Sequence, residues 1–114
     1  MKRDFAVIGL GSFGSKLCLE LAAQGANVVA VDLDEERVNR IAEQIPLAYC
    51  CDCTKEETLK KLELDDVDCV IVAIGKNFEA TILILVLLKE LGVGRVTVLS
   101  LIHISEPTRQ AEIS

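Results

Sequence analysis

The chain has 114 residues, which suits one domain and leaves no room for a cofactor domain joined to a separate substrate domain. Hydrophobic residues make up 51% of the sequence and charged residues 26%, a balance that excludes a disordered chain. The net charge of −6 and an aromatic content of only 4% argue against nucleic-acid binding, which uses basic patches and stacking platforms. No signal peptide or membrane-spanning apolar run is visible, so we expect a cytoplasmic protein with reduced cysteines.

Short apolar runs alternate with segments that have apolar residues at helical spacing. The runs predict strands over residues 5–8, 27–31, 47–51, 68–74 and 95–99. The segments between them predict helices over residues 12–24, 35–44, 55–62 and 78–91. Asp34 is the expected N-cap of the second helix, and Thr54 with Glu57 forms a predicted capping box before the third. This alternation predicts an α/β fold, a Rossmann-like doubly wound parallel sheet of five strands in the order 3-2-1-4-5.

A glycine-rich turn joins the first predicted strand to the first predicted helix. It has the pattern G-x-G-x-x-G, and it consists of Gly9, Leu10, Gly11, Ser12, Phe13 and Gly14. In such a turn the first glycine permits the tight bend, the second lets a phosphate approach the backbone, and the third lets the helix pack on the strand. The pattern therefore predicts a dinucleotide or nucleotide site. The alternative is a turn that only connects strand to helix.

An acidic residue follows the second predicted strand at the spacing that this motif needs. Asp32 lies 18 residues after Gly14, and a carboxylate there can accept hydrogen bonds from the hydroxyls of an adenosine ribose. It would repel a 2′-phosphate, which favours NAD or an adenine nucleotide over NADP. If the turn is only a connection, Asp32 is a solvated loop residue.

With these features in place, residues 4–100 resemble the N-terminal domain of the regulators of potassium conductance, the Trk/Ktr-type subunits of potassium uptake systems. The matching stretches are 5–14, 29–34, 51–54, 70–75, 77–81 and 87–92. The resemblance implies a domain that binds NAD(H), ATP or ADP and is not an enzyme. It also implies a homo-oligomer, a dimer or a ring, that gates a membrane potassium channel or transporter subunit from the inner face of the cell membrane.

The resemblance also implies a set of site residues. The glycine turn, with Ser12 and Phe13, would hold the phosphates, and Asp32 would hold the ribose. Asp52 would lie beside the adenine, together with the neighbouring Cys53. The remaining residues follow the fourth strand. Ala73, Ile74 and Gly75 would line the site, and Glu79 would lie near the phosphates or the subunit partner.

The chain departs from the family in two places. Ser12 stands where many members carry an arginine that can reach a terminal phosphate, which puts discrimination between ATP and ADP through this position in doubt. Lys16 is a weak substitute, because helix geometry can point it to solvent. The nucleotide-binding domain is expected to cover residues 1–100. The tail 101–114 does not resemble the sequence that follows this domain in the family. A truncation or an artefact would explain the difference, and no family function is assigned to the tail.

Two further features allow alternative interpretations. Cys50 and Cys53 form a C-x-x-C that suits a redox or metal site, but small buried residues at a strand end are the simpler interpretation, and no second C-x-x-C supports zinc. The helix over residues 78–91 is apolar nearly all round, which predicts a subunit interface unless the tail covers it.

The leading functional hypothesis is a regulatory nucleotide-binding module of a potassium uptake system. The alternative is the NAD-binding domain of an oxidoreductase that lacks its substrate domain, although no His, Lys or Tyr is placed for hydride chemistry near Gly75. A third hypothesis is a stand-alone redox or NAD sensor.

Overall fold

A computed structural model describes residues 3–99, and five parallel strands form a single sheet in that part of the chain, in the order β3-β2-β1-β4-β5. This is the predicted fold class and the predicted strand order. The strands are β1 (Asp4–Ile8), β2 (Asn27–Asp32), β3 (Leu47–Cys50), β4 (Cys69–Val72) and β5 (Val96–Val98). The helices are α1 (Ser12–Ala23), α2 (Glu35–Ala42), α3 (Glu56–Leu62) and α4 (Phe78–Glu90).

The sheet separates the core into two layers, and its central strand β1 contributes side chains to both. Ala6 and Ile8 pack on the face that α3 and α4 cover, whereas Val7 packs on the face that α1 and α2 cover. Alternate residues of a strand point to opposite faces, so a strand that is covered on both sides must be apolar throughout. Val7 pairs with Ala30 of β2 and with Ile71 of β4, which fixes the register on both sides.

Most element boundaries differ from the predictions by one or two residues. β4 ends at Val72 instead of residue 74, and α2 ends at Ala42 instead of residue 44. The predicted cap of α2 is confirmed, because the Asp34 carboxylate accepts a hydrogen bond of 2.9 Å from the Glu36 N–H. The shorter β4 matters for function, because its last predicted residues belong to a loop at the sheet edge.

The predicted capping box before α3 is wrong. Asp52 Oδ1 accepts hydrogen bonds from the Thr54 N–H at 3.0 Å and from its hydroxyl at 2.5 Å. The Thr54 hydroxyl therefore turns back towards Asp52, and Lys55 occupies the N-cap position without a side-chain cap. The Thr54 hydroxyl donates to the Asp52 carboxylate and does not cap the helix, because hydrogen bonds to ionised acceptors are the stronger ones.

A short 3-10 helix over Leu64–Asp66, which the sequence did not predict, joins α3 to β4. Within the described residues no helix has both the length and the apolar character needed to cross a membrane. The predicted tail 101–114 and the predicted boundary after residue 100 lie outside the described part of the chain.

Candidate functional site

The carboxyl ends of β1, β2 and β4 border a cavity of about 390 Å³. It lies where the strand order reverses between β1 and β4, the position at which open α/β sheets bind ligands. All of the predicted site residues except Glu79 line this cavity: Gly9, Gly11, Ser12, Phe13, Gly14, Asp32, Asp52, Cys53, Ala73, Ile74 and Gly75. The sheet edge thus brings together residues that are more than 60 positions apart in the sequence.

Two glycines of the turn are required by the fold itself. Gly9 has a φ of 110°, and a Cβ on it would lie 2.4 Å from the carbonyl oxygen of Ala73. A Cβ on Gly14 would lie 1.9 Å from the carbonyl oxygen of Gly9. Both positions therefore exclude side chains whether or not a ligand is present, because the loop after β4 packs against Gly9 and the first turn of α1 packs against the end of β1 at Gly14.

Gly11 is different, because the protein itself has room for a side chain there. Its φ is −67°, and the nearest atom to a Cβ would be Nη1 of Arg37, at 3.9 Å. Gly11 also lines the cavity. Its lack of a side chain therefore leaves free space over the backbone in the place where this turn motif lets a phosphate approach.

Helix α1 begins at this turn without a side-chain cap. Gly11 occupies the N-cap position, and the first turn of α1 contains no acidic residue. The N–H groups of that turn have no partner within the helix, and the helix dipole adds a partial positive charge. The geometry suits an anion lying over Gly11 and Ser12.

Asp32 is the last residue of β2 and is nearly buried, with 9% of its surface exposed. Its Oδ2 accepts a hydrogen bond of 2.6 Å from the Leu10 N–H, and its Oδ1 accepts one of 2.7 Å from the Asp34 N–H. Each carboxylate oxygen has a second acceptor position, so ribose hydroxyls can still donate to it. Asp32 therefore ties the glycine turn to the β2–α2 loop and faces the cavity at the same time.

Asp52 also lines the cavity, and it lies in the loop between β3 and α3. The hydrogen bonds from Thr54 hold the pKa of the Asp52 carboxyl below its usual value. Asp52 is therefore ionised at neutral pH, and its orientation is fixed. It can accept a hydrogen bond from a polar ligand edge, such as the amino group of a base.

The cysteines near the cavity do not have the surroundings of a reactive pair. Burial raises the pKa of the Cys53 thiol to about 12, and burial is also the main cause of the raised pKa of Cys51. A redox-active thiol needs a lowered pKa instead. Cys50 is exposed and lies 3.4 Å from the Leu33 carbonyl oxygen. Within residues 3–99 no three His, Cys, Asp or Glu side chains are grouped to hold a metal ion.

Glu79 does not line the cavity, and it is exposed on the first turn of α4. Its neighbour Asn77 does line the cavity and also caps α4, with Oδ1 accepting a hydrogen bond of 3.1 Å from the Ala80 N–H. Lys16 is likewise exposed and does not contribute to the cavity lining.

The sequence analysis missed three polar lining residues, Arg37, Thr54 and Asn77. Thr54 and Asn77 could have been found from their places just before helices that follow the carboxyl ends of strands. Asn77 in particular precedes the helix pattern that begins at Phe78, as an N-cap residue should.

These features together define a doubly wound α/β domain with a glycine-rich turn and an acidic β2 end at its ligand-binding edge. Comparison with known proteins gives the family. Residues 5–110 match the family model of the TrkA-N domain, and the chain belongs to this family. The resemblance to potassium-conductance regulators is thereby confirmed.

Curated relatives include potassium uptake proteins. The chain is 50% identical over 98 residues to Ktr system potassium uptake protein C of Bacillus subtilis (strain 168), covering 86% of this chain and 44% of that protein. It is 47% identical over 96 residues to Ktr system potassium uptake protein A of Vibrio alginolyticus, covering 84% and 44%. The chain thus spans less than half the length of these relatives.

Solved structures share the fold. The NAD(P)-binding domain of an exopolyphosphatase-related protein from Archaeoglobus fulgidus superposes with a TM-score of 0.72 at 30% identity, covering 87% of this chain and 72% of that one. The TrkA-N domain of inner membrane protein ybaL from Escherichia coli superposes with a TM-score of 0.73, covering 88% and 74%. At 19% identity the second likeness supports the fold alone.

Proposed function

We propose that this domain is a regulatory nucleotide-binding module of a potassium uptake system, and that it binds NAD(H), ATP or ADP in the cavity described above. One observation carries the nucleotide part of the proposal. Gly11 lacks a side chain although the protein has room for one, and that free space lies at the N-terminus of an uncapped helix. The Ktr potassium uptake proteins among the relatives support the rest.

The cavity suggests how such a ligand would lie. The phosphates would rest over Gly11 and the first turn of α1, the ribose against Asp32, and the adenine between Asp52 and the loop after β4. The volume of about 390 Å³ falls within the range of roughly 300–1,000 Å³ that small-molecule sites occupy.

Regulation would require that the bound nucleotide favours one arrangement of an assembly over another. Helix α4 follows directly on the loop after β4, and it exposes Phe78, Ile82, Leu83 and Val86. Four large apolar side chains on one exposed helix suit a contact with a second copy of the chain. A homo-oligomer built on α4 would couple the nucleotide site to a membrane transporter partner at the inner face of the membrane.

The competing function is the NAD-binding domain of an oxidoreductase without its substrate domain. The charged side chains that line the cavity, within the described residues, are those of Asp32, Arg37 and Asp52. His, Lys and Tyr are the side chains expected to exchange a proton with the substrate when a hydride is transferred, and none of these three lining residues is of those types. This favours a binding module that is not an enzyme.

Competitive calorimetry with NADH, ATP and ADP tests the proposal on the 114-residue chain. We expect saturable binding of at least one of the three and no turnover of alcohol substrates with NAD. Absence of binding by all three would refute the nucleotide role, and turnover would establish the oxidoreductase.

A substitution of Asp32 adds a test of the ribose contact, and Asn is the better choice than Ala. Asp32→Ala would leave the buried Leu10 N–H without its acceptor, which costs about 1–3 kcal/mol and confuses folding with binding. Asp32→Asn removes the charge and keeps one oxygen, which can still accept from the buried Leu10 N–H, while its NH2 group replaces the acceptor of the less buried Asp34 N–H. A thermal melt of this variant therefore accompanies the binding measurement. We expect affinity to fall about tenfold, since hydrogen bonds to charged groups are worth about 1.5–3 kcal/mol. Unchanged affinity would contradict the ribose role.

A further inference from the structure

Arg37 is the one cationic side chain that lines the cavity within the described residues. It lies in the first turn of α2 and reaches back over the cavity mouth, with 47% of its side chain exposed. Its Nη1 lies 3.7 Å from Asp32 Oδ2 and 3.9 Å from the place of a Cβ on Gly11. The guanidinium therefore sits between the acidic end of β2 and the glycine turn.

The hydrogen-bonding capacity of this guanidinium is not used by these carboxylates. Nη1 is 3.7 Å from Asp32, and Nε is 3.8 Å from Asp34 Oδ2. Both distances exceed the 2.7–3.2 Å of an N–H···O hydrogen bond. The carboxylates thus hold the arginine by charge, while its N–H groups remain able to donate to a ligand at closer range.

The charge of the cavity gives this arginine a specific importance. Asp32 and Asp52 present two carboxylates to any ligand, and Ser12 offers only a neutral hydroxyl. The N-terminus of α1 attracts a phosphate, whereas the two carboxylates repel it, and a cation near them offsets that repulsion. Arg37 supplies that cation, and its planar fork suits phosphate oxygens.

We propose that Arg37 is a specificity-determining residue that donates hydrogen bonds to a phosphate group of the bound nucleotide. This inference rests on the proposed nucleotide binding. The phosphate has two sources compatible with the position of the guanidinium. It is a 5′-phosphate lying over Gly11, or it is a 2′-phosphate on a ribose held at Asp32, where the charge of Arg37 would offset the repulsion that the Asp32 carboxylate exerts.

Arg37→Gln and Arg40→Gln form a matched pair for the test. Arg40 lies one turn further along α2, is exposed, and does not line the cavity. Affinities of both variants and of the unsubstituted 114-residue chain are measured by calorimetry for adenosine, AMP, ADP and adenosine 2′,5′-bisphosphate. A thermal melt of each variant verifies folding, which the exposed position of both arginines should preserve.

We expect Arg37→Gln to weaken binding of phosphorylated ligands about tenfold, or about 1.4 kcal/mol, and to leave adenosine within about twofold. Arg40→Gln should match the unsubstituted chain, and Arg37→Lys should fall in between because it keeps the charge without the fork. A loss shared by AMP and ADP assigns the contact to the 5′-phosphates. A loss confined to the 2′,5′-bisphosphate assigns it to the 2′-phosphate.

Two results would overturn the inference while nucleotide binding itself stands. One is an equal loss for adenosine and ADP, which would make Arg37 a structural residue. The other is identical affinities of Arg37→Gln and Arg40→Gln for all ligands. If the unsubstituted chain binds none of the four and also neither NADH nor ATP, the proposed function fails together with this inference. If it binds NADH or ATP alone, the two variants are compared with that ligand and the same two results overturn the inference.

Discussion

Gly11 and Gly14 lie three residues apart in one turn, yet alanine should leave the stability of the domain nearly unchanged at position 11 and lower it at position 14. A Cβ at position 11 meets no atom closer than 3.9 Å, and the φ of −67° suits alanine. We expect Gly11→Ala to change the free energy of unfolding by no more than about 1 kcal/mol, since alanine is a poorer N-cap but also restricts the unfolded chain. A Cβ at position 14 would lie 1.9 Å from a backbone oxygen, so Gly14→Ala should destabilise the domain by about 3 kcal/mol.

The binding assay separates the two variants further. The methyl group of Gly11→Ala would occupy the space in which we propose that a phosphate lies, so nucleotide affinity should fall at least about tenfold while the fold persists. Gly94→Ala is the control, because no described atom lies within 4 Å of its Cβ position and Gly94 is remote from the cavity. Urea unfolding and ADP calorimetry measure the two effects. A Gly11→Ala protein that binds ADP as tightly as the control would refute the reasoning.

Three further predictions concern the cysteines and helix α4. Burial raises the pKa of Cys18 to about 12 from an ordinary 9.0, so only the unfolded chain loses that proton between those values, and stability should fall as pH rises through this window. Cys18→Ala should make the decrease of the unfolding free energy with pH less steep by about 1.4 kcal/mol per pH unit. Urea titrations that show the same pH dependence for both proteins would contradict the burial of Cys18. In thiol labelling at pH 8, the exposed Cys50 should react well before Cys53, whose pKa burial also raises to about 12; equal rates would contradict this. Light scattering at micromolar concentration should show a dimer or larger species. Ile82→Lys should convert it to a monomer, whereas the control Lys89→Ala should not. A monomer before any substitution would contradict an interface on α4.

The strands were accessible from the sequence because a parallel strand covered on both faces must be continuously apolar, and their order followed from the doubly wound fold that the strand–helix alternation predicts. Val70–Val72 has this character, and it is buried throughout. The glycine turn could also be predicted, because three glycines at this spacing between a strand and a helix are typical of a nucleotide-binding turn. The strand order then places the turn, Asp32 and the loop after β4 at one edge.

The parts that sequence patterns did not predict depend on competition between neighbouring groups. Thr54 was expected to cap α3, but the Asp52 carboxylate takes its hydroxyl and its N–H. Arg37 looks like an ordinary surface residue of an amphipathic helix, and only the approach of α2 to the glycine turn brings its guanidinium to the cavity mouth. For Glu79, the family resemblance implied a place near the phosphates or the subunit partner, and the residue is exposed on α4 and is not among those that line the cavity.

Amide chemical-shift mapping by NMR with ADP tests the nucleotide site most directly. The account predicts shifts concentrated in residues 9–14, at Asp32 and in residues 73–75, and no shifts around the second cavity. That cavity, of about 180 Å³, is lined by residues of α3, of the 3-10 helix and of the segment after α4, among them Leu59, Leu64 and Leu91. Shifts centred on the second cavity, or no shifts with ADP, ATP and NADH each at millimolar concentration, would contradict the account.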